Sequence, residues 1–312
     1  MNQEINVPLS LALEQGSSVR SWGSIRMRSA FPFLRPKQNP KHFLRIKDTV
    51  PAPSDRLIEY YVEWSGAEPD LYPYEVPPHL FSQWSIPLVT RVLLQARYPL
   101  KDIINKGCHV TLNAHIPRGE TLLLDAELIE LKESPTQINF SIRVNTSTPS
   151  CKNAIVAVFQ LVLMREQPAA KSNNKSRPIH DSYSEMGHWS ADANDGFRYA
   201  LLTGDFNPIH WLDPLAKRST FGGKVLHGFA SLSKTWEQLQ SSGLLNENIN
   251  DIDVQFIKPV HLPTKNLKVL TSAKTDRNGR YKLRVRGENN TLHLLGKFTT
   301  GPLGTRKNTK VD

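Results

Sequence analysis

The chain runs through the same plan twice, and few folds accommodate that. In each half an irregular, glycine-containing segment leads into one apolar helix, and a series of strands follows. In the second half the helix is expected to start near His227 and end near Gly243, a good C-cap residue. Strands are expected near 251–258, 265–275, 280–287 and 291–299, with Asn278-Gly279 as a hairpin turn. In the first half a helix near 79–96 precedes strands near 109–116, 121–131, 137–146 and 153–164. Pro87 is expected to kink or break that helix, because proline lacks the N–H and crowds the preceding turn.

The halves also align by residue. Tyr61, Ser65, Gly66 and Ala67 match Tyr199, Thr203, Gly204 and Asp205 at an offset of 138. His79, Leu80 and Phe81 match His227, Gly228 and Phe229 at an offset of 148, so the second half carries about ten extra residues in the loop between these blocks. A helix wrapped by a curved antiparallel sheet, made twice, is an α+β plan. A polar stretch with two prolines reads as a linker. The expected division is 1–165, a linker at 166–178, and 179–312.

Length and composition agree with two folded units. The chain has 312 residues, about two domains at ~150 residues each, and 39% are hydrophobic, which excludes a disordered chain. No apolar run approaches the ~18 residues of a membrane helix, and the N-terminus lacks the basic start and apolar core of a secretory signal. Cys108 and Cys151 are too few for a disulfide framework or a zinc site. A soluble, cytoplasmic protein is expected.

The net charge is +10, and residues 1–50 hold eight basic side chains against three acidic ones. Trp22, Phe31, Phe33 and Phe43 lie among them. Such interleaving can mark a nucleic-acid surface, but no helix-turn-helix, RNA-recognition or finger pattern accompanies it, so a solvated extension packing on the next domain is preferred. The charge otherwise suits a soluble anionic ligand.

The chemistry sits between residues 199 and 216. Asp205 and His210 flank an Asn207-Pro208 pair, and Gly204 and Pro208 forbid a regular helix there, so both side chains stand on a shaped loop. A carboxylate beside an imidazole can place a water and move protons, because their surroundings can drive their pKa values apart. Asn207 can fix such a loop through backbone hydrogen bonds. An isolated Asp and His at this spacing would more often be a turn cap and a packed histidine; the neighbouring residues weigh against that.

Those neighbours resemble the MaoC-like dehydratases, the family of the (R)-specific enoyl-CoA hydratases. Tyr199, Thr203, Gly204, Asp205, Asn207, Pro208, Ile209, His210 and Ala216 fill its signature. Phe221-Gly222, His227-Gly228 and Phe256 through Pro259-Val260 continue the likeness, which is strong over about 197–275 and loose in the first half.

The resemblance implies a double hot-dog fold and reversible syn hydration of a trans-2-enoyl thioester to an (R)-3-hydroxyacyl thioester. It implies Asp205 and His210 as the catalytic pair, leaving open which is acid and which is base. The N–H of Gly228 would face the thioester oxygen, since free N–H groups and the positive dipole end meet at a helix start. Ser233 stands where a serine orients the catalytic aspartate in that family, though a serine bonding back to its own turn is an equal reading. His227 is expected to support the site without reacting, and Lys224 and Lys258 to lie near the carrier's phosphates. No metal or cofactor is expected.

In the first half Ala67 replaces Asp205, Pro69 roughly replaces Asn207, Leu80 replaces Gly228, and nothing matches His210. One active site per chain follows, with the first half expected to contribute an acyl tunnel suited to medium or long chains. Trp211-Leu212 and Asp213 depart from the pattern just beyond the histidine, which bears on specificity. The partner is an acyl thioester of coenzyme A or acyl carrier protein, and a homodimer is admitted. The rival readings are an acyl-carrier-protein dehydratase, a non-catalytic thioester binder and, last, nucleic-acid binding through residues 1–50.

Overall fold

The computed structural model describes residues 5–16, 20, 23–24, 44–165, 182–243 and 247–303. The expected linker at 166–178 and most of the basic segment lie outside them. The described strands are β1 (Arg45–Val50), β2 (Glu75–Val76), β3 (Ile103–Leu112), β4 (Ile116–Pro117), β5 (Leu122–Glu133), β6 (Gln137–Ser147), β7 (Ile155–Met164), β8 (Tyr183–Ala191), β9 (Ile249–Phe256), β10 (Thr264–Ser272), β11 (Tyr281–Arg286) and β12 (Leu292–Thr300). The helices are α1 (Asp55–Ser65), α2 (Ser82–Leu93), α3 (Asp195–Thr203), α4 (Asp213–Arg218) and α5 (Gly228–Ser241).

Ten strands form one antiparallel sheet in the order β1-β5-β6-β7-β3-β9-β12-β11-β10-β8. Each half supplies five, and β3 joins β9 in the middle with Cys108 opposite Val254 and Val110 opposite Ile252. The spatial order of one half mirrors that of the other, so the duplicated plan in the sequence is a duplicated topology in space. This is the double hot-dog arrangement.

Alternation of side chains builds each sheet face. β6 buries every second residue, Ile138, Phe140, Ile142 and Val144 among them, and these inward positions meet the central helices. α2 packs on β1, β5 and β6, while α5 packs on β8 and β10. The two helices meet through aromatic edges: Phe81, just before α2, lies 5.4 Å from Phe229 of α5, and Phe159 closes the cluster at 5.4 Å from Phe229.

α2 runs unbroken through Pro87. The expected local break does not occur. Its face of Trp84, Leu88 and Val92 is buried in the core, and that packing carries the helix across the lost hydrogen bond, whose local cost is ~3 kcal/mol.

Buried polar contacts lock the halves together reciprocally. Tyr61 Oη of α1 lies 2.7 Å from Ser233 Oγ of α5, and Tyr199 Oη of α3 lies 2.9 Å from Ser82 Oγ of α2. Tyr61 also sits 3.0 Å from His79 Nδ1, and His79 Nε2 contacts Glu237 of α5. Tyr72 donates to the same Glu237 oxygen at 2.8 Å. The Lys234 ammonium of α5 donates to Trp64 O at 2.8 Å and lies over the Trp64 ring.

Residues before β1 belong to this core as well. A short helical turn, Leu9–Gln15, lies against α3 with Val7 and Leu11 buried. A groove of about 950 Å³ opens beside it, lined by Val7, Phe197, Arg198 and Leu201 among others. The described basic side chains nearby are ordinary: Arg45 pairs with Asp125 across β1 and β5.

Candidate active site

α3 ends at Gly204, whose left-handed φ of 77° a glycine adopts without cost, and the chain turns there into the site loop. α1 ends the same way at Gly66, φ 86°. Ala67 and Asp205 therefore occupy matching places, immediately after matching helix caps. The loop then forms one turn of 3-10 helix, Pro208–His210, with Asn207 Oδ1 accepting from Ile209 N–H at 3.4 Å. The same loop crosses the start of α3 so closely that a Cβ on Gly196 would stand 1.9 Å from the His210 carbonyl oxygen. Gly196 is thus part of how His210 is placed.

Three side chains converge. Asp205, His210 and His227 each bring an oxygen or nitrogen to within 4.8 Å of the others. His210 Nδ1 lies 2.7 Å from Val225 O; a carbonyl only accepts, so Nδ1 carries the hydrogen and Nε2 keeps a free lone pair. His227 Nε2 lies 2.9 Å from Asp205 O, so it donates to that carbonyl. The His227 Nδ1 is buried without a hydrogen-bond partner. The two imidazoles stack at 3.6 Å between centroids and 28° between planes, and the Tyr199 ring covers His227 at 4.8 Å.

Burial governs the charges. It pushes both imidazoles down to about 3, and for His210 the neighbouring His227 adds to the shift. Burial raises the Asp205 carboxyl above the ordinary carboxylate range, against the opposing pull of His210 and the Asn207 N–H. The same three side chains are those that could hold a divalent cation. In this arrangement one nitrogen of each ring, Nδ1 of His210 and Nε2 of His227, is already committed to a backbone carbonyl.

The other sequence candidates divide. Gly228 is the first residue of α5, where helix N–H groups have no internal partner, and its Cα packs on the Phe256 ring so tightly that a Cβ would come within 2.7 Å. Asn207 holds the loop as expected. Ser233 does not bond to Asp205: its Oγ donates back to Phe229 O at 2.8 Å and meets Tyr61. Lys224 is turned inward, donating to Ala193 O at 2.9 Å and lying 3.5 Å from Asp213, so its charge is committed within the protein. Lys258 is exposed. In the first half His79, the counterpart of His227, faces Glu237 and Tyr72 among buried side chains.

Sequence reasoning missed Gly196, the Val225 carbonyl and the closeness of His227. A glycine in the first turn of α3 was the one available signal; a backbone carbonyl leaves none.

The comparisons agree with this fold. Residues 169–293 match the family model described as MaoC like domain. Among solved structures, HtdX of Mycobacterium tuberculosis superposes with a TM-score of 0.65 at 18% identity, over 82% of this chain and 100% of its own. Full-length peroxisomal multifunctional enzyme type 2 of Drosophila melanogaster gives 0.59 at 15%, over 82% of this chain and 48% of that one. A Mycobacterium tuberculosis protein described as having a double hotdog fold gives 0.55 at 11%, over 85% and 98%. No curated protein matches the chain in sequence. Fold and site define a double hot-dog protein with a carboxylate–imidazole pair on a loop of its second half. The match to the MaoC-like dehydratase domain lies in that half, and it supports hydratase or dehydratase chemistry there. Among the described residues no helix is long and apolar enough to cross a membrane.

Proposed function

We propose that this protein catalyses reversible addition of water to a trans-2-enoyl thioester, giving the (R)-3-hydroxyacyl thioester. One observation carries the reading. An Asp205 oxygen and a His210 nitrogen lie no more than 4.8 Å apart, a separation that one bridging water can span with a hydrogen bond to each. With His210 neutral and its Nδ1–H committed to Val225 O, Nε2 is an acceptor, and the Asp205 carboxylate is another. A water donating to both keeps its own lone pairs free for attack at C3.

As the C3–O bond forms, the π electrons of the enoyl group move onto the thioester oxygen. The N–H of Gly228, at the positive end of α5, opposes that charge. The water's proton passes to the Asp205–His210 pair, and the pair returns a proton to C2 as the enolate collapses. Run backwards, the same groups remove water. His227 acts by holding the Asp205 backbone and stacking on His210.

Absorbance at the enoyl thioester band reports the reaction directly. Purified protein should hydrate a series of trans-2-enoyl-CoA thioesters, and Asp205→Ala and His210→Ala should each lower kcat by roughly 10²–10⁴-fold, the usual worth of a positioned acid–base group. Full activity in either variant sinks the assignment. Running the series from four carbons upward, on coenzyme A and on acyl carrier protein, identifies chain length and carrier.

A further inference from the structure

The end of α3 from which Asp205 projects is held by a residue outside both hot-dog halves. The last carbonyls of an α-helix have no N–H partner within it. Gly204 N–H still reaches Ala200 O at 2.8 Å, but Phe206 N–H turns back to Gly204 O at 3.0 Å rather than continuing the helix to Leu202 O. The side-chain amide of Gln15 fills the gap: Nε2 donates to Leu201 O at 3.2 Å and to Leu202 O at 3.1 Å, one hydrogen to each. Its Oε1 accepts from Gln83 Nε2 of α2 at 3.1 Å. Gln15 is 1% exposed and is anchored through Leu11, which is fully buried.

We propose that Gln15 is a positioning residue for Asp205, and that residues 5–15 thereby complete the active site although they belong to neither hot dog. Asp205 is then clamped from two sides. Gln15 fixes the helix turn before it, and His227 holds its own carbonyl. The inference rests on the reading of Asp205 as catalytic. A glutamate at position 15 keeps the shape of Gln15 but presents only acceptors to two carbonyl oxygens, and so pushes the helix end away. A methionine keeps the volume and donates nothing.

The test compares kcat, KM and Tm for an enoyl-CoA substrate in Gln15→Glu, Gln15→Met, Asp205→Ala and Leu283→Ala. Leu283 is fully buried in β11, away from the site loop, and serves as a purely structural lesion. Both Gln15 variants should lose about 10–100-fold in kcat with KM changed less than about twofold, the cost of a reacting group displaced by a fraction of an ångström to one ångström. Leu283→Ala should lower Tm and leave kcat untouched at temperatures well below it. If the Gln15 variants match Leu283→Ala, with lower Tm and full kcat, Gln15 is only structural and the inference is overturned. Retained activity in Asp205→Ala overturns the reading of the site itself. Should Gln15→Glu not fold, Gln15→Met decides the question by the same criterion.

Discussion

The protonation of Asp205 and His210 sets how the site must respond to acid. In the proposed reaction His210 works as a neutral ring and Asp205 as a carboxylate, and because burial lowers the His210 pKa to about 3 the ring stays neutral far into the acid range. Burial raises the Asp205 pKa, so Asp205 is the first of the pair to lose its working form as pH falls. The acid limb of kcat/KM should therefore lie above the ordinary Asp value of about 3.9. A pH–rate profile with its acid limb at or below that value would contradict this. At this scale the sequence was informative about which residues meet. The spacing of Asp205 and His210 around Asn207-Pro208 announced a shaped loop, and the shaped loop is there. Bonds made over long separations were illegible. Ser233 reaches Tyr61, 172 positions away, and Gln15 reaches Leu202, 187 positions away; neither distance has a local pattern.

Elements are governed by the same division between local signal and tertiary rescue. Each central helix showed itself through an apolar run, and the last four strands of each half through alternation and turns. β1 and β8 did not. They are the outer strands of the sheet; β1 alternates only between exposed and half-buried, with no buried position, and β8 is irregular, so the period-two signal is faint. α3 is nine residues long and follows such a strand, which hid it too. The helix start at Gly228 yields a direct expectation. An alanine there would place a Cβ 2.7 Å from the Phe256 ring, so either the ring or the first turn of α5 must shift. Gly228→Ala should lower Tm by several degrees and kcat by at least about tenfold, and Gly228→Ala with Phe256→Ala should recover part of the Tm. Unchanged kcat in Gly228→Ala would show that the close packing of Gly228 on Phe256 does not position the site.

For the whole molecule, the two halves should behave as one cooperative body. The sheet is continuous across β3 and β9, and Glu237 of α5 accepts from Tyr72 and contacts His79 in the interior of the first half. Glu237→Ala strips two buried polar partners at once. It should cost on the order of 3–5 kcal/mol, the usual loss when one member of a buried polar pair is removed. Calorimetry should show a single transition, lowered in the variant; two separate transitions in the unaltered protein would refute the joint core.

The matched helix ends at Gly66 and Gly204 carry a consequence for descent. In a symmetric dimer of identical chains every substitution appears twice, so losing one catalytic aspartate means losing both. Joining the copies in one chain breaks that bond of inheritance. Ala67 and Asp205 can then differ at matching places, neither residue imposing itself on the other copy. The place opposite was then free to take on Glu237, Tyr72 and His79 as a purely cohesive cluster. On the proposed function the two halves divide the labour: one keeps the chemistry, and the other holds α5 from beneath through Tyr72 and His79.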